Sequence, residues 1–169
     1  DDNLILGNQS PLHFDISASD LYVTLATGST LVLIPESLFM FPPKLLDYLE
    51  EKQVNFIYWV PSILTTISKL DLLKNRNLDI KTVFYGGELM PTKHLMYWKK
   101  YLQDTVYSNF FGPTETTVIC THYILDRDFA DDEPLPIGYA CKNTDVLVLD
   151  EQDRLVTELI KDKFTILDL

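Results

Sequence analysis

The residues best equipped for chemistry stand together in Asn109-Phe110-Phe111-Gly112-Pro113-Thr114-Glu115-Thr116-Thr117, directly after an apolar run. Glu115 offers a carboxylate suited to Mg²⁺, a hard cation that takes oxygen ligands. Thr114 adds a hydroxyl, Phe111 a flat face on which a base could stack, and Asn109 an amide that could read a base edge. Gly112-Pro113 sets a sharp turn. The same residues also read as an ordinary loop in which Thr114 caps a short helical turn, and residue types alone leave both readings open. Phe84-Tyr85-Gly86-Gly87-Glu88 is a second candidate, because paired glycines let a flat ligand reach the backbone; they equally make a tight turn. Tyr58-Trp59-Val60-Pro61-Ser62 is the third.

Each candidate needs a rigid element beneath it. Leu4–Leu6, Thr30–Ile34, Asn55–Val60, Lys81–Tyr85 and Val106–Phe110 are short, largely apolar runs bounded by Gly, Pro or Asn, which predicts buried strands. Between them lie helical patterns. Ser17–Leu25 carries Ala18, Leu21, Tyr22 and Leu25 at helical spacing, with Ser17 and Asp20 as an N-cap and weak capping box. Pro42-Pro43 opens a helix to Gln53 that presents Leu45, Leu46 and Leu49 on one face. Ser62–Leu73 and Pro91–Leu102 complete the set.

This alternation predicts an α/β fold: a largely parallel sheet with flanking helices, built of right-handed βαβ units. In such sheets ligands collect beyond the carboxyl ends of the strands, where all three candidate segments fall. After Glu115 the texture changes. Val118–Leu125 and Asp145–Leu149 read as strands separated by the acidic loop Asp126–Glu133, a short antiparallel β extension. The expected organisation is an α/β subdomain over residues 1–117, with 118–169 a β-rich extension and atypical tail of the same domain.

With 169 residues, 46% of them hydrophobic and 12% aromatic, the chain has material for one packed core. A net charge of −11 argues against nucleic-acid binding, which needs clustered cations. The one basic group, Lys93, His94, Lys99 and Lys100, reads as the wet face of a helix. Cys120 and Cys141, the only two cysteines, lack metal-ligand spacing and read as reduced thiols. No run approaches the roughly 20 apolar residues of a membrane span. No basic signal-peptide start is present, so a cytoplasmic location is expected.

Asn109–Thr117 resembles the N-x-Y-G-P-T-E signature of adenylate-forming enzymes. Phe14-Asp15-Ile16-Ser17 matches the F-D-x-S motif of the amino-acid-activating members, and Gly86-Gly87-Glu88 their G-G-E segment. Pro136-Ile137-Gly138 followed by Val148-Leu149-Asp150 is similar to their P-I-G…V-L-D segment. Order and approximate spacing agree over residues 4 to 153. The resemblance extends to adenylation domains of nonribosomal peptide synthetases and, through FDISASDLY, to D-alanine–carrier protein ligases.

That resemblance implies roles. Gly86, Gly87 and Glu88 would lie along the adenine of ATP, Asn109 would recognise its edge, and Phe110, Phe111 and Gly112 would complete the base site, Phe111 replacing the usual Tyr. Thr114 would contact the α-phosphate and Glu115 would bind Mg²⁺. Asp15 would pair with the substrate's α-ammonium. Matching pocket positions gives Asp15, Ile16, Ser19, Tyr58, Phe84, Gly86, Phe110, Val118 and Ile119, a mostly apolar lining that suits a small or medium uncharged amino acid. Expected partners are that amino acid and a phosphopantetheinyl carrier protein whose thiol receives the activated acyl group. A non-catalytic nucleotide-binding or interaction remnant is the alternative, as is an acyl- or aryl-CoA ligase, although the latter typically lacks the pocket Asp.

Three elements of the family pattern are not found: the Ser/Thr/Gly-rich phosphate loop, the Y-R-T-G-D segment, and the C-terminal domain with its catalytic Lys. Only Glu158-Leu159 echoes the G-E-x-G-E-L run. The sequence thus reads as an internal fragment of a longer ligase with no catalytic residue of its own. Without the loop and Lys, attack on the α-phosphate lacks most of its charge stabilisation. The chain alone should therefore show amino-acid-dependent pyrophosphate exchange no higher than its Glu115→Ala variant; turnover well above that control would refute the expectation.

Overall fold

The computed structural model describes residues 4–150, 152 and 154–156. Its frame is one seven-stranded sheet in the order β2-β1-β3-β4-β5-β6-β7. The strands are β1 (Ile5–Asn8), β2 (Thr30–Leu33), β3 (Phe56–Trp59), β4 (Thr82–Gly86), β5 (Val106–Phe111), β6 (Thr121–Ile124) and β7 (Tyr139–Ala140). β1 to β5 pair in parallel, whereas β6 and β7 add on antiparallel. The helices are α1 (Ile16–Thr27), α2 (Pro42–Glu51), α3 (Pro61–Lys69) and α4 (Thr92–Tyr101). The predicted α/β class, parallel sheet and antiparallel extension are all present.

Local chemistry accounts for most of this. Every residue of β3 is buried, as a central parallel strand with both faces covered requires. Pro42 and Pro61 each open a helix at N1, where the missing N–H goes unused. α2 buries Leu45, Leu46 and Leu49, the face read from their spacing. They join the main core with Trp59, Leu64, Val83, Leu95 and Trp98. Both buried indoles donate, Trp59 Nε1 to Gly7 O and Trp98 Nε1 to Leu64 O, each at 2.9 Å, so neither leaves an orphaned donor in the core.

α1 overturns its own apolar pattern. Leu21, Tyr22 and Leu25 are 40%, 73% and 77% exposed, while Ser17 and Asp20 are buried. Hydrogen bonding explains the rotation. Asn8 Nδ2 donates to Asp20 at 2.8 Å, and Ser17 Oγ donates to Phe14 O at 2.7 Å. Both residues therefore sit inside the helix and the expected capping box does not form; Asp15 occupies the N-cap position without a side-chain capping bond. His94 likewise leaves the wet face of α4. It is buried against α3, with Nδ1 3.0 Å from Ser68 Oγ, and burial holds its pKa below the usual value.

Two strand expectations shrink. β6 starts at Thr121, because Thr117 and Val118 have left-handed φ values of 60° and 73°. In place of a strand over Asp145–Leu149 there is a single Leu149–Leu155 bridge, tied by Arg154 Nε donating to Asp150 at 2.8 Å. The atypical tail, Glu158-Leu159 included, lies outside the described residues.

Asp20 carries a testable consequence. Burial, opposed only by the Asn8 bond, raises its pKa from 3.8 to about 6. The folded chain thus keeps a proton that the unfolded chain has already lost, and stability falls as pH rises from about 4 to 6. The drop from this group is on the order of 3 kcal/mol. Chemical denaturation of the native chain and Asp20→Asn across that range should show the native protein losing stability relative to the variant. A pH-independent difference would mean Asp20 is not buried as described.

Candidate active site

Parallel pairing brings the carboxyl ends of β1, β3, β4 and β5 to one edge of the sheet. There Gly86 pairs with Phe110. A Cβ on Gly86 would lie 2.4 Å from Phe110 O, so only glycine lets the two strands stay paired to their ends. Beyond this pair the chains diverge and leave a cavity of about 440 Å³. Gly87, Glu88, Leu89 and Met90 form one wall, Asn109 to Pro113 another, and Leu135 and Ile137 the third.

Its polar groups are already oriented. The Glu88 carboxylate accepts from the Ser62 backbone N–H at 2.9 Å and from Ser62 Oγ at 3.3 Å. Glu88 thereby caps the start of α3, where the helix dipole favours an anion. Asn109 Nδ2 donates to Pro136 O at 2.8 Å, leaving the amide oxygen as the group a ligand could use. Phe111 and Gly112 line the same space.

Thr114 and Glu115 lie on the 3₁₀ turn Thr114–Thr116, and both are exposed. Thr114 is inside the turn, following Pro113 at the N-cap position, so the capping reading of its hydroxyl does not hold. Among the described residues Glu115 has no ion-pair partner, and no group of three or more metal-binding side chains exists. That suits Mg²⁺ held by one carboxylate plus phosphate oxygens and water, and does not suit an all-protein cage.

A second cluster adjoins the cavity. Ile16, Phe84, Phe110, Val118 and Ile119 pack around Leu6, Phe56 and Tyr58. Phe84 and Phe110 meet edge-on at 4.6 Å between ring centroids, and Tyr58 and Phe110 at 5.4 Å. Burial drives the Tyr58 phenol far above its ordinary pKa, and the charges of Asp15 and Asp20 add to the effect. Asp15, at the N-cap of α1, directly precedes Ile16 of this cluster. Ser19, half-buried, lies one turn further along α1. Phe110 belongs to both cluster and cavity, and the Gly87 backbone approaches Ile16.

The sequence gives no sign that Leu89, Met90 or Leu135 lines a site, and marks Ile137 only through its motif. The Pro136-Ile137-Gly138 motif was the available signal. Gly138 has φ of +83°, and a Cβ there would meet His122 O at 1.9 Å, so glycine holds this wall against β6. His122 was not singled out in the sequence; Cys141, read there only as a reduced thiol, has its Sγ 3.7 Å from His122 Nδ1, and His122 stands 6.3 Å from Phe110 between ring centroids.

A profile of the family described as AMP-binding enzyme matches residues 2–159. The chain is 35% identical over 140 residues to an L-proline–[L-prolyl-carrier protein] ligase of Pseudomonas fluorescens, covering 82% of this chain and 28% of that protein. It is 34% identical over 151 residues to a D-alanine–D-alanyl carrier protein ligase of Lactiplantibacillus plantarum, covering 88% and 30%. The crystal structure of the Vibrio cholerae adenylation domain AlmE, complexed with glycyl-adenosine-5'-phosphate, superposes with a TM-score of 0.81 at 23% identity. That match covers 92% of this chain and 29% of the other, and it shows a shared fold. The chain spans less than a third of the length of each of these three proteins.

The turn after the cavity gives opposite expectations at two positions. A Cβ on Gly112 would lie 2.5 Å from Ile119 Cα and 2.7 Å from Val118 O, so Gly112→Ala forces backbone apart. It should destabilise by about 2 kcal/mol or more. Thr117, exposed and left-handed, carries strain that glycine relieves; Thr117→Gly should be neutral or stabilise by up to about 1 kcal/mol. Thermal unfolding of both variants checks the pair, and equal losses would contradict this backbone path.

Proposed function

The chain belongs to the AMP-binding enzyme family, and from that premise we propose that its protein activates a small or medium uncharged amino acid with ATP. The products are aminoacyl-AMP and pyrophosphate, and the acyl group then passes to the thiol of a carrier protein in the cytoplasm as a thioester, with release of AMP. One observation carries this reading: the cavity beyond β4 and β5 shares Phe110 with the cluster that holds Ile16, the residue after Asp15. In this reading a nucleotide site and an amine site meet at one side chain.

In this reading adenine slides between the Gly86-Gly87-Glu88 backbone and Phe111, and the Asn109 amide oxygen accepts from its exocyclic amine. Gly112 gives the backbone room, and Thr114 donates its hydroxyl to the α-phosphate. Glu115 is the residue that would hold Mg²⁺, which when bound neutralises phosphate charge. Asp15 pairs with the substrate ammonium, a charge-assisted contact strengthened by its half-buried setting. Ile16, Ser19, Tyr58, Phe84, Gly86, Phe110, Val118 and Ile119 shape the side-chain pocket, where three aromatic rings take up volume and exclude water. The substrate carboxylate, fixed by its amine, attacks the α-phosphate, and pyrophosphate leaves.

Asp15 favours this reading over an acyl- or aryl-CoA ligase, whose substrate brings no ammonium. Support for small amino acids comes from the relatives, named for proline and D-alanine, and from the glycyl adenylate in the Vibrio cholerae complex. In this reading Val118, Ile119, Leu135 and Ile137 make the β extension work together with the subdomain that precedes it.

Calorimetry with ATP and Mg²⁺ tests the assignment. The native chain should bind, and Glu115→Ala should weaken binding by about tenfold while removing its Mg²⁺ dependence. Asp15→Ala should spare nucleotide affinity and abolish any further thermal stabilisation by glycine, alanine or proline. Nucleotide binding that is indifferent to Glu115, or amino-acid effects indifferent to Asp15, would defeat the proposal.

A further inference from the structure

The acidic loop between β6 and β7 is not a loose solvated strand. Tyr123 Oη donates to Asp126 Oδ1 at 2.5 Å. The Arg127 guanidinium lies 3.7 Å above the ring of Phe129, and Phe129 is itself buried, 6.1 Å edge-on from Tyr123. Arg127 also grips both oxygens of Glu133, Nη1 donating to Oε2 at 3.2 Å and Nη2 to Oε1. Glu133 Oε2 takes a further bond from Ala130 N–H at 3.2 Å, and its backbone carbonyl accepts from Thr92 Oγ1 on α4. Lys99, also on α4, pairs with Asp128 at 2.7 Å and donates to Arg127 O at 3.1 Å. Arg127 holds the Glu133 carboxyl below its ordinary pKa.

The clamp ends where the cavity wall begins. Glu133 is followed directly by Pro134-Leu135-Pro136-Ile137, of which Leu135 and Ile137 line the cavity and Pro136 O receives the Asn109 amide. At its other end the clamp starts from Tyr123, the register partner of Asn109 across β5 and β6. Asn109 is therefore held from two sides by one folded loop. We propose that Arg127 and Glu133 are positioning residues that set this wall, and with it the Asn109 acceptor, against the adenine of a bound nucleotide.

The inference rests on the nucleotide reading of the cavity, and its test separates the two. Glu133→Gln and Arg127→Gln remove the paired charge while keeping comparable shape. Each should raise hydrogen–deuterium exchange at Leu135, Ile137 and Gly138 in the ligand-free chain, with exchange in β1 and β3 unchanged. Each should also weaken ATP–Mg²⁺ affinity by about three- to tenfold, a modest loss because the pair is partly exposed. The double exchange Arg127→Glu with Glu133→Arg should recover part of the affinity together with part of the exchange protection, tying both losses to the pair. Unchanged exchange at 135–138, or raised exchange with native affinity, overturns the positioning role. If the native chain binds no ATP, the nucleotide reading fails and the positioning role falls with it, while the exchange measurement still reports whether the clamp holds the wall.

Discussion

The rest of the site depends on how closely two backbones approach at the carboxyl edge of the sheet. Gly86 and Phe110 remain paired because no side chain stands between them. That contact keeps β4 and β5 parallel to their ends, and only beyond it do the chains separate. The position of the cavity, the exposure of Phe111 to it and the sharing of Phe110 with the neighbouring cluster all follow. A larger residue at position 86 would force β4 and β5 apart at their ends. The constraint is steric and local, yet it sets the distance between the two proposed ligand sites.

A second constraint is electrostatic. The chain carries a net charge of −11, and a nucleotide brings more negative charge to its surface. The structure keeps two carboxylates beside the cavity occupied. Glu88 faces the α3 terminus, and Glu133 is gripped by Arg127. Each engaged carboxylate projects less repulsion toward a phosphate than a free one would. Glu115 is the contrast, exposed on its turn and unpaired among the described residues. A carboxylate so placed can recruit a cation, whereas one already bonded to protein cannot do so as readily.

Much of this was legible in residue order because strand, turn and helix signals agreed. The Leu45, Leu46 and Leu49 face, the prolines opening α2 and α3, the Gly86-Gly87 pair ending β4 and Gly112 after β5 each act through local geometry. α1 was misread because periodicity records where apolar residues fall and cannot see a partner such as Asn8, which draws Asp20 inward from β1. His94 was misread similarly, its neighbours Lys93, Lys99 and Lys100 suggesting a wet face while Ser68 waited on α3. The strand over Val118–Leu125 began late because two β-branched residues adopt φ values that propensity disfavours. Leu135 carried no signal and Ile137 only its motif, since the wall they form is set by long-range contacts such as the Asn109 bond to Pro136 O.

The left-handed pair Thr117 and Val118 joins the local and the distant. β-branched residues in that conformation persist only where their surroundings over-determine the path. Here the chain must turn back tightly enough to lie on Gly112, carry Glu115 outward on an exposed turn, and still deliver Val118 and Ile119 into the aromatic cluster. A relaxed loop could expose the carboxylate or bury the two aliphatic side chains, but a wider bend would separate Gly112 from Ile119. The strain is thus tied to serving two sites from one short segment. The same run carries both the exposed Glu115 and the two aliphatic side chains of the cluster.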